Sequence, residues 1–283
     1  MDAQRSVVPI TADAVHLPFN EQPADAAFRW RLGVRRLDPA EWFEWGETGD
    51  AAVAAKAEVM AAHADVAFAV LDDRVAEEAA ELAEMIVDHL ADHHPRRHRH
   101  LDPTLHPLDA AARLVPDDLA LLVERDGRLV FGGGSICFPN EWDLASKLGL
   151  TLAEVHEPVD LLNEQIERPI DRFFERLSPE RSWWRLGWGI IDTDDWFTPP
   201  GRDHPATNDP ARWFLRVERE SLRRLPVSGA VAFGIRTHLT PLDDLDDATA
   251  AQLAARIGRL PQEVVEYKSL DGVREQLIET LVR

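Results

Sequence analysis

Apolar and polar positions along the chain fall into two periods, and their order sets the expected architecture. "DRVAEEAAELAEMIVDHLADHH" (73–94) puts Val75, Ala79, Leu82, Met85, Ile86 and Leu90 on one face of a helix, with Pro95 ending it. The Ala-rich "DAAVAAKAEVMAAHADVAFAV" (50–70) reads as a helix before it. Asp38-Pro39-Ala40-Glu41 is a helix start, with an N-cap, Pro at the first helical position and Glu at the third. The period then changes. "LALLVERDGRLVFGG" (119–133) is two apolar runs flanking Asp126-Gly127, a hairpin signal, and "SICFP" continues its second strand. "SWWRLGWGIID" (182–192) is strand-like, and "GAVAFGIRTHLTPL" (229–242) is a long alternating strand. "DDATAAQLAARIGRL" and "SLDGVREQLIETLVR" predict two closing helices. This pattern predicts an α+β fold, an antiparallel sheet with helices at both ends.

The segments between are less regular. Residues 1–27, with Pro9, Pro18 and Pro23, read as an extended N-terminal arm, leaving 28–283 as one domain. "TPPGRDHPATNDP" (198–210) is a turn-rich loop, and residues 151–177 read as two short helices or a helix and a turn.

Composition narrows the function classes. The chain has 283 residues, 45% of them hydrophobic, enough for a sizeable core. Its formal net charge of −20 argues against nucleic acid and against an anionic membrane surface as partners. No apolar run is long enough to span a bilayer and no signal-peptide pattern opens the chain, so a cytoplasmic location is expected. The single cysteine, Cys137, excludes a cysteine-ligated iron–sulfur cluster on this chain. It lies in an alternating apolar stretch and reads as a buried strand residue.

Several clusters carry candidate chemistry. The run "DHLADHHPRRHRHLDPTLH" (88–106) places His89 and His93 at chelating spacing, but Pro95 and three arginines make it a solvated polar linker. The glycines of "GGGS" (132–135) allow close backbone approach, including approach to a flat cofactor. Arg216, Arg219 and Arg223 would share one face if their segment were helical, where they would suit a pair of carboxylates or surface salt bridges. His156, in "LGLTLAEVHEPVDLLNEQI" (148–166), has no partner histidine at zinc spacing. It remains open as a surface residue, a hydrogen-bonder, a general base or the single axial ligand of a heme.

Five stretches together resemble the alpha subunit of heme-dependent oxidative N-demethylase, the dimethylamine monooxygenase type. They are "FRWRLGVRRLDPAEW", "RLVPDDLALL", "ICFPNEWDLASKLGLTLAEVHEPV", "WWRLGWGI" and "LRVERESLRRLPVSGAVAFGIRTHLTPL". The resemblance implies a PAS-like heme-binding catalytic domain over 28–283 and oxidative removal of an N-methyl group from a small methylated amine with O2, releasing formaldehyde. It implies heme b as cofactor, with His156 as its metal ligand. Electrons would come from NADPH through partner reductase subunits carrying FMN and a 2Fe-2S centre. With heme in place, Arg216, Arg219, Arg223 and Arg185 are the expected propionate anchors, Trp184 and Trp188 the expected walls, and Asp117 or Asp118 the expected ammonium acceptor or proton relay. The chain departs from the family pattern at Asp160, Gly187 and Glu220, which also suits a heme-based sensor or an inactive paralogue.

Overall fold

The computed structural model describes residues 32–155, 170, 172–201 and 209–282. Their centre is a seven-stranded, wholly antiparallel sheet in the order β1-β5-β6-β7-β3-β4-β2. The strands are β1 (Arg35–Arg36), β2 (Phe68–Val70), β3 (Asp118–Arg125), β4 (Arg128–Ser135), β5 (Trp183–Ile191), β6 (Phe214–Arg224) and β7 (Val231–Pro241). With helices flanking it, this is the expected α+β architecture. The hairpin β3–β4 turns at Asp126 and Gly127, both at positive φ (53° and 75°), the conformation that favours an Asp-Gly pair in a two-residue turn. The meander β5–β6–β7 joins the hairpin side by side through β7 and β3.

Each face of the sheet buries a different set of side chains, because strand residues alternate. On one face Leu119, Leu121 and Val123 pack against the helix Val75–His93, with Val75, Ala79, Leu82, Ile86 and Leu90 buried as the periodicity predicts. Further along that face, Leu215 and Val217 pack under the C-terminal helices Asp247–Ile257, Gln262–Tyr267 and Arg274–Leu281. The other face carries Ala120, Leu122, Leu222 and Phe233, and is partly covered by Leu144, Ile170, Phe173 and Phe174.

Several expectations need correction. The Ala-rich helix stops at Ala67, and Phe68–Val70 leaves it as β2, pairing with β4. Each glycine of β4 is packed by protein: a Cβ on Gly133 would lie 2.9 Å from the Ala69 carbonyl of β2, one on Gly132 2.6 Å from Val123 and one on Gly134 3.0 Å from Leu144, so the close approach is to neighbouring chain and not to a cofactor. The histidine run is only partly solvated. His89 is buried beside Trp42 and Phe43, and burial lowers its pKa to about 4. The segment 214–224 is a strand, not a helix. The N-terminal arm lies outside the described residues. Among the described residues, no helix is long and apolar enough to cross a membrane.

Candidate functional site

A cavity of about 850 Å³ opens on the second face of the sheet. Its wall on one side is the sheet: Asp118, Ala120 and Leu122 of β3, Arg216, Glu218, Glu220 and Leu222 of β6, and Phe233 and Ile235 of β7. Across from these stand Trp142, Leu152, Val155, Ile170, Phe173 and Phe174. Leu152 and Val155 belong to the short helix Leu152–Val155, the last described residues before His156. His156 itself lies outside the described residues; its chain neighbour Val155 lines the cavity. Arg224 fixes this wall to the sheet, donating from Nε to the Leu177 carbonyl (2.7 Å) and from Nη2 to the Phe174 carbonyl (2.9 Å).

The strand assignment of 214–224 separates the three candidate arginines. On a strand, even and odd positions point to opposite faces, so Arg216 lines the cavity while Arg219 and Arg223 face away. Arg219 donates to the carbonyls of Glu41 (2.6 Å) and Trp42 (3.3 Å). The Arg223 guanidinium lies over the Trp42 ring, 4.3 Å from its centroid. Both are thus committed to packing the other face. Arg216, only 2% exposed, donates from Nη2 to the Phe138 carbonyl (2.6 Å) and from Nε to Glu218 Oε1 (2.8 Å). Its Nη1 is buried without a hydrogen-bond partner.

Asp117 and Asp118, adjacent in sequence, also point to opposite faces. Asp118 borders the cavity, but its carboxylate accepts the backbone N–H groups of Cys137 (2.9 Å) and Phe138 (2.8 Å) and faces Lys56 at 3.8 Å. Burial raises its pKa, opposed by Lys56 and those two amides. Lys56 is itself buried, donating to the carbonyls of Ala112, Val115 and Asp117. Asp117 does not line the cavity. It is fully buried with both oxygens unpartnered, and burial raises its pKa to about 7 against the pull of Arg219, Arg236 and Lys56. Neither aspartate is therefore placed as an open acceptor for an ammonium. Trp188 borders the cavity, but its ring packs with the C-terminal helices, 4.4 Å from the Lys268 ammonium. Cys137 is buried, and burial with the Asp118 charge pushes its thiol up to about 12, the inert state expected from its surroundings.

The sequence singled out Glu220 only as a departure from the family pattern, and gave neither Glu218 nor Glu220 a place among the site residues. Strand pairing sets Arg185 of β5 opposite Glu220 of β6, Gly187 opposite Glu218, and Gly189 opposite Arg216. Arg185 Nε and Glu220 Oε2 form an ion pair at 3.1 Å. Burial raises the Glu220 pKa to about 7, opposed by Arg185 and reinforced by Glu218. Lys268, at the end of helix Gln262–Tyr267, closes this end; burial lowers its pKa to about 8, opposed by Glu218. The signal that would have found these residues is the cross-strand register, which needs the strand assignment of 214–224 first.

The lining suits a flat, mostly apolar group bearing carboxylates. Aliphatic and aromatic side chains form its broad walls, Gly189 leaves open space where a Cβ would stand, and Arg216 offers a buried N–H with no partner. Among the described residues, no group of three or more His, Cys, Asp or Glu could hold a metal ion; a heme needs only one axial side chain. The family model of the haem-dependent oxidative N-demethylase, alpha subunit-like proteins matches residues 33–278, which include both walls of this cavity. With a match over most of its length, the chain belongs to that family.

Proposed function

We propose that this chain is the heme-binding catalytic subunit of an oxidative N-demethylase acting on a small methylated amine. The observation that carries the reading is the cavity, apolar on its broad walls, with the unpartnered Arg216 Nη1 on the sheet and Val155, the neighbour of His156, on the opposite wall. His156 would supply the nitrogen ligand to the heme iron and Arg216 a charge-assisted hydrogen bond to a propionate. When bound, heme b supplies dioxygen activation and the centre that receives electrons. The protein's own part would be to hold the cofactor within this lining and to exclude bulk water with Trp142, Phe173 and Phe174. Arg185, Glu218, Glu220 and Lys268 offer ionisable groups beside the reacting amine.

Insertion of one atom of O2 into an N-methyl C–H bond gives an N-hydroxymethyl product that collapses to formaldehyde and the demethylated amine, while two electrons and two protons reduce the other atom to water. The electrons for O2 must reach the chain from elsewhere, because it has one cysteine, buried and inert, and no nucleotide-binding fingerprint. A reductase carrying FMN and a 2Fe-2S centre, fed by NADPH, fits that need.

The test is reconstitution with heme b. The loaded chain should show a Soret band that His156→Ala abolishes or strongly weakens. With NADPH and the reductase it should release formaldehyde from a methylated secondary amine, and without the reductase it should not. An unchanged Soret band in His156→Ala removes that residue as ligand. Reduction of bound heme without demethylation of any amine would make the chain a heme sensor or an inactive paralogue.

A further inference from the structure

Strand β5 is paired fully on one side and only at its start on the other. It runs beside β6 along its whole length, but β1 pairs with Trp183 and Trp184 alone. The Ser182 carbonyl accepts the Leu37 N–H on that outer side. Strand alternation then directs the backbone groups of Trp184, Leu186 and Ile190 outward as well. Among the described residues, nothing bonds the outward N–H and C=O of Leu186 or Ile190. Ile190 is only 7% exposed, and a sheltered backbone group left unpaired is costly.

The cavity follows the same edge. Every residue from 185 to 191 borders it. A strand paired on both sides would turn alternate residues away, so the cavity wraps around the free edge of β5. Gly187 and Gly189 leave the cavity side of that edge without side chains, and a Cβ on Gly189 would meet no atom within 4 Å. There is room here for large side chains from a neighbouring strand.

The chain itself leads a segment of matching chemistry to this place. β1 runs antiparallel to β5, so the residues before it head along β5 from Arg185 toward Ile191. Leu32 and Val34 already line the cavity. Gly33 between them, at φ 61°, supplies the bend that edge strands use at a bulge. The stretch "FRWRLGV" (28–34) alternates, with Phe28, Trp30, Leu32 and Val34 apolar and Arg29 and Arg31 charged, the period of a strand with one sheltered face. In an extended chain Trp30 and Phe28 share the side of Leu32, which is the cavity side. At ~3.3 Å per residue, about seven residues cover the free edge, and 31 residues precede Leu32. Tethered at Leu32, this segment meets the edge at a high effective concentration that a separate chain does not match.

We propose that residues 28–32 continue β1 along the free edge of β5, close the cavity there, and bring Trp30 to its wall as a ligand-contacting residue. The occupant of the edge is thus this chain's own N-terminal segment. The assignment does not depend on which ligand the cavity holds.

The experiment is hydrogen exchange of the full-length chain, read over β5, in wild type and in a variant combining Arg29→Pro, Trp30→Pro and Arg31→Pro. Three successive prolines remove the donors of the segment in either register. The Leu186 and Ile190 amides should exchange at least about tenfold more slowly in wild type than in the variant, with the amides of 214–224 unchanged. Limited trypsin digestion gives a second readout. Wild type should be cut after Arg5 and spared after Arg29 and Arg31, whereas Phe28→Ser combined with Trp30→Ser, which keeps both arginines, should be cut at all three. Equal β5 exchange in wild type and the proline variant, or cutting of wild type after Arg29 and Arg31 as fast as after Arg5, overturns the assignment. Protection of β5 that rises with protein concentration would give the edge to a second copy of the chain and overturn it as well.

Discussion

Asp118 and Arg216 hold the same bend of backbone, one by its amides and the other by a carbonyl. Asp118 accepts the amides of Cys137 and Phe138, and Arg216 Nη2 donates to the Phe138 carbonyl. Lys56, behind Asp118, neutralises the carboxylate and gathers the carbonyls of Ala112, Val115 and Asp117. The guanidinium that lines the cavity and the buried Lys56–Asp118 ion pair are thus linked through the backbone of residues 137–138.

Removing Asp118 should therefore cost more than two hydrogen bonds. Asp118→Ala leaves the Lys56 ammonium buried without its counter-charge, a loss on the scale of about 3–5 kcal/mol. Urea denaturation measures it. In a double-mutant cycle, Asp118→Ala and Arg216→Ala should be non-additive by about 1 kcal/mol or more, because they share Phe138. Additive effects would show that the two residues act on the turn independently.

The opposite facing of Arg216 and Arg219 predicts opposite phenotypes. Arg216→Ala should weaken heme affinity by about 1.5–3 kcal/mol, the range for a hydrogen bond to a charged group. Arg219→Ala should leave heme affinity at the wild-type value and lower the melting temperature, because it releases the carbonyls of Glu41 and Trp42. Heme titration beside thermal unfolding separates the two. A large heme defect in Arg219→Ala with normal stability would contradict the strand geometry.

Asp117 makes stability depend on pH in a defined direction. Its folded pKa of about 7 lies above the ordinary value of 3.8. Between those values the folded state binds the proton more tightly, so this group's contribution is full below about pH 4. It is lost as pH rises to about 7, by about 1.4 kcal/mol per unit. Asp117→Asn should remove that slope. Relative to wild type, the variant should gain stability steadily from pH 4 to 7 and then plateau. Parallel stability curves for the two proteins would place the Asp117 pKa at an ordinary value.

Two glycines should respond differently to the same change. Gly133→Ala drives a methyl into the Ala69 carbonyl and should destabilise by about 1–3 kcal/mol. At Gly189, a Cβ meets no atom within 4 Å, so Gly189→Ala should fold with near wild-type stability. Thermal unfolding of the two variants checks this, and equal losses would refute it.

What the sequence made legible depended on whether one side of an element faces water. The helix Val75–His93 and the turn at Asp126-Gly127 were readable because their signals are local. Segment 214–224 was not, because both faces of β6 are buried and both carry charge. Arg216, Glu218 and Glu220 line the cavity, while Arg219 and Arg223 pack against Trp184 and Trp42 on the reverse. A strand charged on both faces has no apolar–polar alternation, and its arginines fall by chance at helical spacing. The resemblance located the cavity's contributors, including Arg185 and Arg216. It could not tell which of two adjacent residues, Asp117 or Asp118, faces inward, since that depends on strand register.

The pairing of β3 with β7 governs when the cavity can exist at all. The two strands are distant in sequence, yet they lie side by side at the centre of the sheet. As the chain is synthesised, the hairpin β3–β4 can form early and the helix Val75–His93 can dock on it. The meander that carries Arg216, Glu218 and Phe233 arrives much later, and the wall closes only when β7 seats against β3. Such non-local closure is slow compared with hairpin formation. Until then the β7-facing edge of β3 keeps its backbone N–H and C=O groups unpaired. An unpaired edge on a central strand is a template for pairing with another chain, so the β3–β7 seam is where closure of the cavity and protection of the sheet are the same event.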